Sequence, residues 1–277
     1  MDLRIYSNFS KDGGASLEKI FKLAQKQGVS TVSITDRNTA VAHLALKNLK
    51  SNPSNVKVVT GIELDVYDCG MHFQVLAYGF DPVTMQNWIS TAYESNEVRQ
   101  EKIYKIFKCL CATKGIKIGE KCNWVKQAEH AHENIYKNIR RYPENKEILG
   151  SMPVSATEFY DSCTLDKYYP LFFDTDVLYP NLDAVKRIVY LSGGKLFLSH
   201  PYAYGDNIRV EDLLSLSVEQ KLNGIEVYSK DVDQTQILTL LDFCAKHNLY
   251  VTGGSGYGRE KSIKKLAELK NKLFLEN

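Results

Sequence analysis

Residues 2–13 read Asp-Leu-Arg-Ile-Tyr-Ser-Asn-Phe-Ser-Lys-Asp-Gly, and the fold is decided by this opening stretch. Leu3 and Ile5 alternate with Arg4 and Tyr6, which is the period-two pattern of a short β-strand. The small and polar residues that follow predict a loop, and Ser16 is placed to cap the helix after it. The stretch therefore predicts a first strand that leads through a polar loop into a helix.

The same alternation of strand and helix continues along the chain. Residues 29–35 are rich in β-branched side chains, which is typical of a buried strand. Short strands followed by helices with one apolar face predict βα units around a parallel sheet or barrel. The further predicted strands are 56–64, 71–78, 195–199, 224–228 and 249–255, and the predicted helices are 17–27, 41–49, 181–192, 210–222, 234–247 and 261–275.

The middle of the chain interrupts this alternation. Residues 85–115 predict one long helix, and residues 116–179 are rich in Tyr and Asn without a clean hydrophobic period. We therefore expect residues 1–90 and 181–277 to form one discontinuous α/β domain. Residues 91–180 are expected to be a mainly helical subdomain inserted into it.

Composition and charge exclude several classes of protein. Of the 277 residues, 44% are hydrophobic and 25% are charged, which are ordinary values for a globular protein. A formal net charge of +2 does not indicate nucleic-acid binding. No apolar stretch approaches the roughly 20 residues of a membrane helix, and charges interrupt the early apolar runs of a signal peptide. Six cysteines fit a reducing compartment, so we expect a cytoplasmic protein.

One group of cysteines and histidines invites a zinc interpretation. It consists of Cys109, Cys111, Cys122, His130 and His132. The spacing does not match paired Cys-x-x-Cys ligands. Cys109 and Cys111 also fall in a predicted helix, where residues two apart point in different directions. Buried thiols and solvated histidines are therefore favoured over a zinc site.

Polar side chains recur where the predicted strands end. In parallel βα folds the carboxyl ends of the strands form one rim, and ligands bind there. Each residue taken singly has an ordinary structural explanation, such as a salt bridge or a backbone contact. Their recurrence at one rim predicts a present or former site. They are Arg4, Tyr6, Asp12, Asp36, Arg37, Glu63, His72, His200, Tyr228 and Ser255.

Several segments of this rim resemble motifs of the PHP (polymerase and histidinol phosphatase) family, but with residues replaced. The opening resembles Asp-Leu-His-x-His-Ser, with Arg4 and Tyr6 in place of the two histidines. The segment 35–38 resembles Thr-Asp-His-Asn, with Arg37 in place of the histidine. The segment 253–258 resembles Gly-Gly-Ser-Asp-Phe-His, with glycines in place of the aspartate and the final histidine.

Other segments match the family's motifs directly. Glu63 stands in a Gly-Ile-Glu segment whose glutamate bridges metals in the family, and His72 matches a family histidine before a Gly-Phe-Asp turn. His200 stands in a His-Pro segment like the family's Ala-His-Pro. The resemblance spans most of the chain and implies a distorted (β/α)7 barrel, similar to a TIM barrel, with an insertion at about 90–180.

The resemblance implies a metal centre that the residues do not support. PHP proteins bind two or three metals, commonly Mn, Zn or Fe, and hydrolyse phosphate esters. A metal ligand must offer a lone pair, whereas arginine has only donors and glycine has no side chain. The remnant metal-site positions are Asp12, Asp36, Glu63, His72 and His200. These are too few for such a cluster, so we expect no metal cofactor, and the catalytic residues are unknown.

Arg4 and Arg37 also oppose a metal electrostatically. At about 4 Å and an effective dielectric constant near 20, a guanidinium and a dication repel each other by roughly 8 kcal/mol. The arginines are therefore expected to replace the charge of the metal by pairing with Asp12, Asp36 or Glu63.

Three hypotheses follow for the function. The first is a catalytically inactive homologue that binds a phosphate-like anion or a protein partner. Its candidate anion-binding residues are Arg4, Tyr6, Arg37, His72 and His200. The second is a weakened phosphoesterase with a single divalent metal on Glu63, His72 and His200. The third is a structural interaction module.

Overall fold

A computed structural model describes residues 1–46, 56–119, 122–124, 129–175, 178–205, 208–230 and 232–258. The chain divides into two compact units, one formed by Met1–Ala92 with the chain from Tyr179 onward, and the other by Tyr93–Leu178. The strands of the described residues all belong to the first unit. The predicted helix at 261–275 and residues 47–49 of the predicted helix at 41–49 lie outside the described residues.

The first unit is built on a seven-stranded sheet whose strands follow one another in chain order. The strands are β1 (Asp2–Ile5), β2 (Thr31–Ile34), β3 (Lys57–Asp68), β4 (Met71–Tyr78), β5 (Lys195–Leu198), β6 (Gly224–Tyr228) and β7 (Tyr250–Gly253). The pairs β1–β2, β2–β3, β5–β6 and β6–β7 are parallel. The sheet is therefore mostly parallel, as α/β folds require.

The expectation of a parallel sheet is wrong at β4, which runs antiparallel to both β3 and β5. β3 extends past its predicted end and turns into β4 through Cys69 and Gly70, whose φ angles are 48° and 75°. A parallel connection needs a dozen or more residues, whereas two residues join only antiparallel strands. β4 therefore brings its first residues, rather than its last, to the polar rim.

Ten α-helices complete the described residues. They are α1 (Leu17–Lys26), α2 (Val41–Leu46), α3 (Pro82–Ala92), α4 (Asn96–Lys114), α5 (Ala131–Ile139), α6 (Lys146–Leu149), α7 (Ala156–Leu165), α8 (Leu182–Leu191), α9 (Val210–Glu219) and α10 (Gln234–His247). None of the helices in the described ranges has the length and apolar character needed to cross a bilayer.

The prediction of one long helix over 85–115 is wrong, because α3 and α4 are separate helices. Ser95 begins α4, and its hydroxyl accepts a hydrogen bond from the Val98 N–H at 3.3 Å. This N-cap satisfies one of the amide groups that a helix start leaves without a partner. An apolar period alone does not reveal such a restart when the interruption is short.

The first helix and the opening strands share one core, as predicted. The apolar face of α1 is buried against Ile5 of β1 and Ile34 of β2. Ser16 caps the helix by accepting from the Lys19 N–H at 3.4 Å. The loop between β1 and α1 is thus fixed at both ends, and this loop carries the first polar residues of the rim.

The second unit is helical and has an aromatic core of its own. The ring centroids of Phe107 on α4 and Phe159 on α7 lie 5.4 Å apart, and Tyr136 on α5 lies 5.6 Å from Phe159. Phe173 meets Phe107 edge-on at 5.3 Å. Offset and edge-on aromatic pairs of this kind stabilise a core beyond the area that they bury.

The chain after β7 hydrogen-bonds to β1. The Gly256 N–H donates to the Arg4 carbonyl at 2.9 Å, and the Tyr6 N–H donates to the Tyr257 carbonyl at 2.7 Å. These bonds place the residues after β7 beside the end of β1. The rim residues described next lie at or just after the carboxyl ends of β1, β2, β5, β6 and β7, within β3 and on the first residues of β4.

Candidate functional site

Arg4, on β1, begins a run of hydrogen bonds across the rim. Its Nε donates to Glu226 Oε1 at 2.7 Å, and its Nη1 donates to Tyr6 Oη at 3.3 Å. The Tyr6 hydroxyl lies 3.0 Å from each carboxylate oxygen of Glu63. Arg4 is 6% exposed and Glu226 is 1% exposed, so the two charges form a buried pair in which each stabilises the other.

Glu63, on β3, has several partners at the rim. Besides Tyr6, it accepts from Ser199 Oγ at 3.2 Å and lies 3.3 Å from His200 Nε2 and 3.2 Å from Arg37 Nη2. Burial raises the pKa of Glu63, but His200 and Arg37 outweigh burial and lower the pKa to about 2. Glu63 is therefore a fully buried carboxylate whose charge is matched by protein donors.

Arg37 follows β2 and faces three carboxylates. Its Nε lies 3.0 Å from Asp12, its Nη2 3.2 Å from Glu63 and its Nη1 3.7 Å from Asp65. The backbone holds it there, because Arg37 pairs with Glu63 as a parallel bridge and the Asn38 N–H donates to the Glu63 carbonyl at 2.8 Å. Burial lowers the pKa of Arg37, and the carboxylates more than reverse this effect, so its pKa is raised.

Asp65, two residues after Glu63 on the same strand, is a rim residue that the sequence analysis did not predict. It accepts from Asn38 Nδ2 at 2.7 Å and from Gln74 Nε2 at 2.8 Å. His72 Nε2 lies 3.3 Å away, and the His72 ring stacks on Tyr179 with centroids 4.2 Å apart. Burial raises the pKa of Asp65, but the contact with His72 and the nearby guanidinium hold it well below its usual range.

Asp36 and Asp2 are held by serines in the same way. Asp36 accepts from the Ser7 N–H at 2.6 Å and from the Ser7 hydroxyl at 2.5 Å. Asp2 accepts from the Ser255 N–H at 2.9 Å and from the Ser255 hydroxyl at 2.5 Å. Burial raises the pKa of each carboxyl to about 6, against the opposing effect of the serine hydrogen bonds. Asp2 thus fastens the loop after β7 to β1, and Asp36 joins the segment after β2 to the segment after β1.

His200, after β5, is oriented by two glutamates. Its backbone N–H donates to Glu226 Oε2 at 2.9 Å, and its Nε2 faces Glu63. Its φ of 27° is unusual for a residue other than glycine. The buried Nδ1 of His200 and the buried Nη2 of Arg4 have no hydrogen-bond partner. Such atoms are uncommon and mark a place where a ligand or water can bind.

The loop after β7 makes room for Arg4 and Tyr6 because it lacks side chains. Gly256 has a φ of 63°, and a Cβ there would lie 3.2 Å from Arg4 Nη1. A Cβ at Gly258 would lie 1.9 Å from the Asp12 carbonyl oxygen and 3.1 Å from the Tyr6 ring. The two glycines therefore leave the space that the large side chains of Arg4 and Tyr6 occupy.

The donor set of the rim does not fit a metal cluster. Within the described residues, no group of three or more His, Cys, Asp or Glu side chains could hold a metal ion. Glu63 and Asp65 already accept hydrogen bonds from neutral groups and form ion pairs with Arg37. A dication would therefore have to displace a guanidinium that carries the charge these carboxylates need.

The cysteine and histidine group near α4 is not a ligand set either. Cys109 is exposed, whereas Cys111 is buried, so the two thiols lie on different sides of the helix. The Cys122 thiol contacts Asn134 Oδ1 at 3.3 Å. The imidazoles of His130 and His132 stack with centroids 5.5 Å apart. These contacts are those of buried thiols and stacked rings.

The structure brings together most of the rim residues named from the sequence. Arg37 pairs with Asp12 and Glu63, as predicted, whereas Arg4 pairs with Glu226, which was not among its predicted partners. One available signal for Glu226 was a lone charge in an otherwise apolar strand. The rim residues that the sequence analysis missed are Asp2, Ser7, Asp65, Gln74, Ser199, Tyr204 and Glu226.

Two solved structures similar to this chain show the same fold. One is a candidate metal-dependent phosphoesterase from Bifidobacterium adolescentis, with a TM-score of 0.60 and 19% identity, covering 96% of this chain and 90% of that one. The other is an amidohydrolase from Chromobacterium violaceum with bound sulfate and no metal, with a TM-score of 0.66 and 15% identity, covering 96% and 92%. At this identity the likeness concerns the fold alone.

Sequence comparison identifies the family. No curated protein matches this chain. The family model described as the PHP domain matches residues 2–169, which is more than half of the chain. This match begins at the strand that carries Arg4 and includes β1 to β4. The chain therefore belongs to the PHP domain family.

Proposed function

We propose that this chain is a catalytically inactive PHP-domain protein in which ion pairs replace the metal centre. One observation carries the proposal: the guanidinium of Arg37 lies among Asp12, Glu63 and Asp65, at positions where the family needs electron-pair donors around a metal. A hydrolytic metal centre needs ligands with free lone pairs and an open position for water. The rim instead presents protein donors to its own carboxylates.

Metal content and hydrolysis test this proposal together. Purified protein is expected to hold far less than one equivalent of Mn, Zn or Fe by elemental analysis. It is also expected to leave bis(p-nitrophenyl) phosphate unhydrolysed when Mn²⁺ is added. The rival hypothesis places one metal on Glu63, His72 and His200. Hydrolysis that His200→Ala abolishes, or two equivalents of bound metal, would contradict the proposal.

A second candidate function is the binding of a phosphate-like anion at the same rim. The observation that favours it is the buried, unpartnered Nη2 of Arg4, since guanidinium N–H groups bind oxyanions well. The similar amidohydrolase holds sulfate without a metal. The carboxylates around the two arginines would repel a highly charged anion, so binding is expected to be weak.

Thermal unfolding with added anions tests this candidate. Phosphate or sulfate is expected to raise the melting temperature more than chloride does at equal ionic strength. His200→Gln, which changes the rim, should reduce the difference. Arg209→Ala, which removes a guanidinium whose side chain is 73% exposed, should leave it unchanged. Equal shifts with all three anions would leave the structural interaction module as the favoured role.

The architecture proposed with this function is a distorted (β/α)7 barrel closed between β7 and β1. The two backbone bonds from residues 256–257 to β1 support closure. The compact unit Tyr93–Leu178 supports the proposal of an inserted helical subdomain over about 91–180. The six cysteines are free thiols, which supports a cytoplasmic location.

A further inference from the structure

The three nitrogens of the Arg37 guanidinium face three different carboxylates. Nε faces Asp12 at 3.0 Å, Nη2 faces Glu63 at 3.2 Å and Nη1 faces Asp65 at 3.7 Å. A guanidinium is planar and spreads its positive charge over three nitrogens, so carboxylates can approach it at separate edges. An ammonium group is a compact point charge and cannot face all three carboxylates in this way.

The buried carboxylates of this group are oriented by other neighbours, independently of Arg37. Glu63 is fully buried and Asp65 is 4% exposed. Each accepts hydrogen bonds that would persist if Arg37 were shortened. These bonds come from Tyr6 and Ser199 to Glu63, from Asn38 and Gln74 to Asp65, and from Ser10 to the more exposed Asp12.

Solvent can reach this group from one side. The side chains of Arg37 and Asp12 are 34% and 36% exposed, whereas those of Glu63 and Asp65 are 0% and 5% exposed. Arg37 and Asp12 therefore form the solvent-facing part of the group, and Glu63 and Asp65 form its buried part. A cation of the same shape could enter if the Arg37 side chain were shortened.

We infer that Asp12, Glu63 and Asp65 form a guanidinium receptor that this chain fills with its own Arg37. The ligand class is a planar guanidinium cation rather than a metal ion. A metal would require oxygen contacts near 2.0–2.6 Å in a closed shell, whereas these carboxylate oxygens lie 3.0 to 3.7 Å from three separate nitrogens of one guanidinium. This inference goes beyond the proposed function, because it holds whether or not the rim binds an anion.

The test is rescue of a shortened side chain by a free ligand. Arg37→Ala is expected to lower the melting temperature by several degrees, because three carboxylates lose their shared cation. Ethylguanidinium chloride at about 20 mM, far below denaturing molar concentrations, should restore part of that loss. Ethylammonium chloride at the same concentration should restore less, and Mn²⁺ should restore none. The wild-type protein should not be stabilised by either organic cation.

Two matched variants make the result decisive. Arg209→Ala removes an exposed guanidinium near Glu211 and Asp212, and it should show neither the loss nor the rescue. Arg37→Lys keeps the positive charge but not the planar guanidinium. Its melting temperature should be lower than that of the wild type, and ethylguanidinium should not raise it. Equal rescue of Arg37→Ala by both organic cations, or rescue by Mn²⁺, would overturn the inference. If Arg37→Ala does not fold, an Arg37→Lys protein as stable as the wild type would overturn it.

Discussion

Arg4 is the residue whose loss should most damage the buried part of the rim. Arg4→Met keeps an apolar stem of similar length but leaves the carboxylate of Glu226 buried without its cation. Breaking one side of a buried ion pair costs about 3–5 kcal/mol. We therefore expect the free energy of unfolding, measured with urea, to fall by about that amount. Arg209→Ala, at an exposed ion pair, should change it little.

A paired variant checks the cause of this loss. Adding Glu226→Gln to Arg4→Met removes the unpaired charge, so the double variant should recover part of the lost stability. A cost below about 1 kcal/mol for Arg4→Met would show that Glu226 finds another partner or a proton. A double variant that is additive would show that the two side chains do not depend on each other.

Gly256 offers a second test of how closely Arg4 is packed. Gly256→Ala places a Cβ 3.2 Å from Arg4 Nη1 at a φ of 63°. Gly193→Ala is the matched control, because its φ is 83° and a Cβ there would have no neighbour within 4 Å. Both variants incur backbone strain of roughly 1 kcal/mol, and Gly256→Ala should lose more stability because it also crowds the guanidinium. Equal losses would show that Arg4 can move away freely.

Part of the rim at residue scale could be predicted from the sequence. Arg37 stands directly after a β-branched strand, so its position near Glu63 follows from the adjacency of consecutive strands. The partner of Arg4 could not be predicted in this way, because Glu226 is 222 residues distant and reaches it only through the strand order. Asp65 was missed although it shares a strand face with Glu63 by simple alternation.

The contact between β1 and the chain after β7 is the element-scale feature that decides whether the sheet closes. If the sheet closes, the Tyr6 and Gly256 amides lie inside it and donate to the Tyr257 and Arg4 carbonyls, at 2.7 and 2.9 Å. Their hydrogen exchange should then be as slow as that of the Thr35 amide, which bonds to the Ile5 carbonyl at 2.7 Å. Exchange at rates typical of an open sheet edge would contradict the barrel.

At the scale of elements, the sequence predicted correctly those features that depend on nearby residues, such as the starts of helices. Ser16 caps α1 as predicted, and Asn181, the first residue of the predicted helix at 181–192, caps α8. The direction of β4 was not predicted, because it depends on a two-residue turn at Cys69 and Gly70 rather than on the strand's own composition. The split of the predicted long helix at Ser95 was likewise hidden, since both halves carry apolar residues at helical spacing.

For the whole molecule, two groups of buried carboxyls give opposite dependences of stability on pH. Glu63 has its pKa lowered to about 2, so its stabilising contribution is present at neutral pH and is lost as the pH falls from about 4.5 towards 2. Asp2 has its pKa raised from 3.8 to about 6, so the folded protein holds that proton more tightly than the unfolded chain does. The contribution of Asp2 is therefore greatest below about pH 4 and is lost as the pH rises through 6.

Asp2→Asn separates these two effects. The asparagine amide cannot titrate, but its oxygen can still accept from the Ser255 N–H. The variant should therefore lose only the pH dependence of stability that comes from protonation of Asp2. Between pH 4.5 and 7.5 the free energy of unfolding of the wild type should fall relative to that of Asp2→Asn by about 2 kcal/mol. Urea unfolding at several pH values measures the difference, and Asp36→Asn should show the same sign because burial raises the pKa of Asp36 to about 6 as well. Parallel curves would mean that the folded protein does not raise the pKa of Asp2, and a difference of opposite sign would mean that the hydrogen bonds from Ser255 outweigh burial.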